Sequence, residues 1–486
     1  MAGESYCKST VDGKYYYSDQ ECGHGTAVAS LIAGDPLVGV GLLPGVNPRD
    51  GQQFYLGTGI APLASIIAFK IFGAACGYPS ADIPTPEHYE RWYGMLPSYP
   101  TTRFANNSWN HYGDPGNTHY TAVSQMFDKL VRDANGGFND LGHPMTIVFS
   151  AGNISQAGQS AFVAAPANAK NVISVGAAEG YRATDVAPWT AVDCGQATGV
   201  NNVAAFSCRG FADNSNVLKP DLVAPATRLG AAHTRGSAKP NECYRAPNAD
   251  DPNGRYYTRL WGTSSAAPVV TGAAVLADTW FYRRQGNVFP SPAMIKAMLI
   301  AHADDMFGGQ DRYTGSSLPH NPVDAKGWGR VNLDKLFQTQ TSVVFLDEDH
   351  TSQGARRFVP GEPSWTASFS VASQQKDIIA VLVWTDRYAL TNASGTLVNN
   401  LDLYVIDGSM SYQGNVFNSQ GYTYRASGHW FPDTENNVEV IRIPAGEIAD
   451  GGFTVEVVPS INLKAVPTLD GTQPNQDFAL YIFNAR

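Results

Sequence analysis

Two runs of this chain, MTIVFSAGN (145–153) and NVISVGAAE (171–179), are apolar at consecutive positions and end in small residues. A strand with one wet face alternates apolar and polar residues, so runs without that alternation belong to strands covered on both faces. ASIIAFKIF (64–72) reads the same way. Helical patterns are interleaved, among them YTAVSQMFDKLVRDAN (120–135) and SPAMIKAMLIAHADD (291–305), the second opened by Ser291 as N-cap with Pro292 at the first helical position. Strands and helices in alternation predict an α/β domain, a mostly parallel sheet flanked by helices, over about residues 1–342.

From about Val343 the pattern changes. SWTASFSV, DIIAVLVWTD, NNLDLYVIDG, NVEVIRIPAG, GGFTVEVV and FALYIFNA are strand-like runs between turn signals, with almost no helical period. They predict an all-β sandwich over 343–486, a jelly roll by its size and strand number. A chain of 486 residues is long enough to give each of two such domains its own core.

Charge and cysteine usage narrow the setting. Lys and Arg number 33 against 43 Asp and Glu, a net charge of −10. With no long basic run, this counts against nucleic acid or an anionic membrane as partner. No stretch of about 18 apolar residues is present to span a bilayer, and a monomer is expected. The opening MAGESYCKST has neither the basic nor the apolar region of a signal peptide, so the chain is expected to begin at a gene-model boundary. Cys7, Cys22, Cys76, Cys194, Cys208 and Cys243 are widely spaced without a CxxC pair, which disfavours zinc and suits disulfides in an oxidising, extracellular compartment. Cys7–Cys22 and Cys194–Cys208 are the local candidate pairs.

Three short segments carry candidate chemistry. ECGHGTAVASLIAG (21–34) sets His24 between two glycines at a helix start, a place for a plain N-terminal residue, a metal ligand or a catalytic base. LWGTSSAAPVVTGAAVLADTW (260–280) leads through Gly262 and Thr263 into Ser264, then into a small-residue helix face of Ala266, Ala267, Val270, Ala273, Ala274 and Ala277. A serine there lies where free N–H groups and the positive dipole end favour a developing oxyanion; the same residues also read as a simple cap. Pro268 is expected in the first turn, where its missing N–H costs nothing. SAGN (150–153) ends a buried strand in Asn153, whose amide could hold a carbonyl oxygen or only make a turn.

Together these segments resemble the subtilisin-like serine proteases, the subtilases. GHGTAVASLIAG resembles the family's histidine block, SAGN its oxyanion asparagine and GTSSAAPVVTGAAVL its serine block; GIAPLASIIAFKIF, LKPDLVAPA, SPAMIKAMLIAHA and GWGRVNL follow the family's order. The match runs over about residues 20–340, and the C-terminal part is similar to the jelly-roll module that a subgroup of subtilases carries. The resemblance implies a serine endopeptidase acting on protein or peptide substrates, with His24 as general base, Ser264 as nucleophile and Asn153 as oxyanion donor. It implies that Ser108, Trp109 and Asn110 of NNSWN pair with the substrate backbone as an added strand. Ala151 and Gly152 would floor the pocket for the residue before the scissile bond. Asn110 stands where the family commonly has glycine, and Trp109 also reads as a core residue.

The resemblance leaves the third triad member open. In the family an aspartate ends an apolar strand a few dozen residues before the histidine, whereas Asp12 and Asp19 have no such strand before them. Losing that acid costs about ten-thousandfold in turnover. Two alternatives to an active endopeptidase therefore stand: a catalytically impaired or truncated relative, and a surface- or carbohydrate-binding protein acting through the jelly roll. The chemistry needs no cofactor; structural calcium, common in the family, has candidate oxygen ligands in NNLD (399–402) and DGSM (407–410). Of the sequons at Asn106, Asn153 and Asn392, the first two fall at the proposed cleft and only the third reads as usable.

Overall fold

The computed structural model describes residues 9–11, 14–16, 23–35, 57–69, 101–110, 118–134, 143–154, 161–181, 196–213, 216–232, 242–243, 257–339, 342–348, 357–391, 395–427, 432–449, 451–464 and 476–486. Strands β1 (Ser9–Val11) and β2 (Lys14–Tyr16) form a short hairpin. Helix α1 (His24–Ala33) follows. Then come the strands of a four-stranded parallel sheet, β3 (Phe104–Asn107), β4 (Thr146–Ser150), β5 (Ile173–Ala178) and β6 (Leu222–Pro225), hydrogen-bonded in that order. Every residue of β4 and β5 is buried, as their unbroken apolar runs require.

Helix α2 (Ala122–Arg132) joins β3 to β4 and opens on a reciprocal capping box between Thr121 and Ser124. After β6, strands β7 (Leu229–Ala232), β8 (Glu242–Cys243) and β9 (Tyr257–Leu260) make a small antiparallel sheet against which α1 lies. The long helix α3 (Thr263–Arg284) crosses the parallel sheet and contacts all four of its strands. Its alanines Ala266, Ala267, Ala273, Ala274 and Ala277 are all within 1% of full burial; side chains this small let the helix axis come close to the strands. Helix α4 (Pro292–Ala301) opens, as the sequence predicts, on Ser291, whose Oγ accepts from the Met294 N–H at 3.0 Å, and α5 (Leu333–Phe337) ends the helical part.

One expectation is corrected. Residues 64–69 form no strand, and Ile66, Ile67 and Phe69 are 45%, 37% and 40% exposed; residues 70–72 lie outside the described set. Apolar, β-prone composition makes a strand only where a neighbouring ladder accepts its N–H and C=O groups, and no such ladder lies beside 64–69 among the described residues.

Among the described residues, the remaining elements are strands. β10 (Val343–Leu346), β20 (Ala479–Phe483), β13 (Ile378–Val383) and β17 (Val438–Ile443) form one antiparallel sheet in that order; β12 (Trp365–Ser370), β18 (Gly452–Pro459), β14 (Leu401–Asp407), β15 (Met410–Phe417) and β16 (Thr423–Ala426) form another. Strands β11 (Arg357–Phe358) and β19 (Gln476–Asp477) pair at one end. The two large sheets share a core in which Ile378, Ala380, Leu382, Leu480 and Ile482 meet Leu403, Val405, Phe453, Val455 and Val457. β18 buries only alternate residues, whereas β13 is almost continuously buried, because its second face packs on α4. Val381, Val383 and Tyr481 thereby join the core built on α3 and α4.

Candidate active site

Gly23, at φ 68°, turns the chain into α1 and puts His24 at the first helical position; the left-handed backbone there favours a residue without Cβ. Helix α1 packs on α3 and on the small sheet, where Ala27 and Leu31 join Ala231 and Leu260. Its rotation is pinned by Ser30, whose Oγ accepts from the Ala232 N–H at 2.8 Å.

Ser264 is the second residue of α3, which begins after Gly262 at φ 111°. Pro268 lies not in the first turn but inside the helix, as its sixth residue. Having no N–H, it cannot bond the carbonyl four residues earlier, and that carbonyl belongs to Ser264. The vacancy is filled from the sheet: the Ser108 Oγ donates to the Ser264 carbonyl at 2.8 Å. In return the Ser264 Oγ donates to the Ser108 carbonyl at 3.2 Å. Ser108 follows directly on β3 and Asn153 lies just past β4, so both stand beyond the carboxyl ends of adjacent parallel strands, the edge at which open α/β sheets bind ligands.

The orientation of Asn153 is fixed by its neighbours. Its Oδ1 accepts from both the Thr263 N–H at 2.9 Å and the Thr263 hydroxyl at 3.0 Å. An acceptor holding two donors can only be the carbonyl oxygen, so Nδ2 is the other end of the amide, beside Gly262. A Cβ at position 262 would come within 3.1 Å of that Nδ2, which places it at the positive end of α3. The Thr263 hydroxyl also accepts from the Gly152 N–H at 3.1 Å and so ties the loop after β4 to the start of α3.

The other candidate residues fall as follows. Ala151 is fully buried beside Trp109, and Gly152 is buried with its N–H on Thr263. The Trp109 ring is a core group, 9% exposed, edge-on to Phe127 and Phe149 with centroid distances of 6.1 and 5.3 Å, and its indole N–H donates to Asn107. Asn110 is half-buried at the end of the segment. Asp12, Asp19, Asn392 and Cys194 lie outside the described residues, and Cys208 is buried in the core. At the sequons Asn106 and Asn153 both amides are engaged with the protein.

Two of the candidate calcium ligands, Asn399 and Asp407, are engaged elsewhere. Both polar atoms of the Asn399 amide are taken by Lys464 and Gln476, and Asp407 pairs with Arg425. No group of three or more His, Cys, Asp or Glu gathers as a metal site among the described residues.

Three residues of the site carry no motif of their own: Thr263, Asn106 and Thr271. The Asn106 Nδ2 donates to the Ser108 Oγ at 3.0 Å, and the Thr271 Oγ1 donates to the Asn106 Oδ1 at 3.0 Å. Their only sequence signal is proximity to the motifs, since a hydroxyl or amide declares its partner only once strand and helix are docked.

Compared with known proteins, residues 3–329 match the model of the Subtilase family. Among curated relatives, the serine protease/ABC transporter B family protein tagB of Dictyostelium discoideum is 26% identical over 297 residues, 52% of this chain and 15% of tagB. The serine protease/ABC transporter B family protein tagA of the same organism is 31% identical over 255 residues, 49% of this chain and 13% of tagA. The subtilisin-like protease SBT1.3 of Arabidopsis thaliana is 34% identical over 151 residues, 29% of this chain and 17% of that protein. The chain thus spans less than a fifth of the length of these relatives. Among solved structures, the patellamide maturation protease PatA is 21% identical, with 65% of this chain and 82% of PatA covered at a TM-score of 0.39. Fervidolysin from Fervidobacterium pennivorans, a keratinolytic enzyme related to subtilisin, is 18% identical, with 87% and 44% covered at a TM-score of 0.38.

Proposed function

The chain belongs to the subtilase family, and from that premise we propose that it is a serine endopeptidase whose nucleophile is Ser264, general base His24 and oxyanion donor Asn153. The observation that carries the reading is the Asn153 amide, held by Thr263 with its N–H₂ turned to the start of the helix that bears Ser264.

The chemistry follows from the groups present. The Ser264 Oγ turns from the Ser108 carbonyl toward His24, gives up its proton to the imidazole and attacks the scissile carbonyl carbon. The carbonyl oxygen, now negative, takes hydrogen bonds from the Asn153 Nδ2 and from the backbone N–H of Ser264 at the start of α3. Collapse of the tetrahedral intermediate breaks the C–N bond, and the imidazolium returns the proton to the leaving amine. Water then hydrolyses the acyl-enzyme by the same route. Substrate would lie as an added strand along 108–110, where Asn110 in place of glycine narrows the channel. Disulfides, an extracellular location, the division at 342/343 and a jelly-roll topology for 343–486 belong to the same reading, supported by the cysteine spacing and by the β content of the described residues after Val343.

The test is covalent. A fluorophosphonate should label the full chain on Ser264 and abolish peptide hydrolysis, and Ser264→Ala should neither label nor turn over. A chain that does not label overturns the reading; labelling without peptide turnover identifies the impaired relative instead.

A further inference from the structure

We propose that Asn106 and Thr271 are positioning residues for the nucleophile, acting through Ser108; the inference rests on the serine-protease reading. The hydrogen bonds form one directed series: Thr271 Oγ1 to Asn106 Oδ1 at 3.0 Å, Asn106 Nδ2 to Ser108 Oγ at 3.0 Å, and Ser108 Oγ to the Ser264 carbonyl at 2.8 Å. It begins and ends on α3, at positions 271 and 264, and passes through the end of β3 and the residue that follows it. Strand and helix are thus clamped together at the nucleophile.

The direction of each bond explains why these residue types stand there. Ser108 has one hydroxyl proton. Because the Asn106 amide donates to its oxygen, that proton is left for the Ser264 carbonyl. Asn106 presents Nδ2 to Ser108 with its Oδ1 facing Thr271, so in this orientation the amide oxygen takes the threonine's one hydroxyl proton. Thr271 is 3% exposed, and the Ala267 carbonyl, also 3.0 Å from its Oγ1, is the competing acceptor for that proton. The clamp exists because Pro268 leaves the Ser264 carbonyl without its helical partner. With the series broken, the first turn of α3 would be free to shift relative to Ser108. Displacements of about 1 Å at a reacting group cost up to about a hundredfold in rate. Substrate contacts along 108–110 would be largely kept, so the loss should fall on kcat.

The experiment uses the full chain and three variants, Thr271→Val, Thr271→Ser and Asn106→Ala, each normalised by fluorophosphonate titration so that any unfolded fraction drops out. Thr271→Val should lower kcat and the phosphonylation rate by tenfold or more with KM within about twofold, Asn106→Ala should do the same, and Thr271→Ser should restore most of the rate. Unchanged kcat in Thr271→Val, a loss confined to KM, or a Thr271→Ser variant as slow as the valine would overturn the proposal while leaving the protease reading intact. Failure of the parent to label would remove both.

Discussion

Asn153, Thr263 and Ser264 show how far single residues can be read ahead of a structure. The serine and the asparagine were legible because each stands at a junction, one after a glycine at a helix start and one at the end of a buried strand. Thr263 was not, because its hydroxyl does its work backward, toward Asn153 and Gly152, a direction set only by docking. Asn153→Ala should lower kcat by about 10²–10³-fold with little change in KM, the scale known for loss of one such donor in subtilisin itself. Thr263→Val removes the hydroxyl but keeps the backbone N–H on Oδ1, so it should slow turnover less than Asn153→Ala. Titrated kinetics on the two variants check the order.

Among the elements, β4, β5, α2, α4 and six strands of the C-terminal part lie where their periodicity predicts. β15 and β16 are not marked by periodicity because MSYQGNVF and TYRA lack the apolar content of their neighbours. Gly414 within β15 lies against β17: a Cβ there would meet the Glu439 carboxylate at 2.3 Å. That carboxylate is fully buried and accepts the Leu403 N–H; burial, with Asp402 and Asp433 nearby, pushes it well above the usual range. A carboxyl raised on folding holds its proton in the native state where the unfolded chain has lost it, so its contribution is complete in acid and declines as pH climbs from the ordinary glutamate range through the raised value. Glu439→Gln should therefore match the parent near pH 4 and unfold at a higher temperature near pH 8, as thermal melts across pH will show. At α4, Ser291→Ala removes the cap bond to Met294 and a second hydrogen bond to Asp347. It should cost about 1–2 kcal/mol of stability by denaturant titration.

At the scale of the molecule, the parallel and antiparallel parts are joined by buried charge as well as by apolar packing. Arg132 on α2 makes two hydrogen bonds to Asp477, at 3.0 and 2.8 Å, and Lys170 lies 3.6 Å from Asp128 and 3.4 Å from Asp386. A buried charge left without its partner costs about 3–5 kcal/mol. A chain ending at 342 should accordingly be insoluble or lack a cooperative transition, and the whole chain should unfold in one calorimetric transition; two separate transitions would contradict this. None of it was legible beforehand, because charged pairs distant in sequence leave no periodic trace. All ten residues of α4 are buried, between the parallel sheet on one side and β13 and β20 on the other. Recombination between relatives therefore has its natural crossover upstream of Ser291: a graft that brings its own 343–486 must bring this helix too, since the helix and the two strands can drift only in concert.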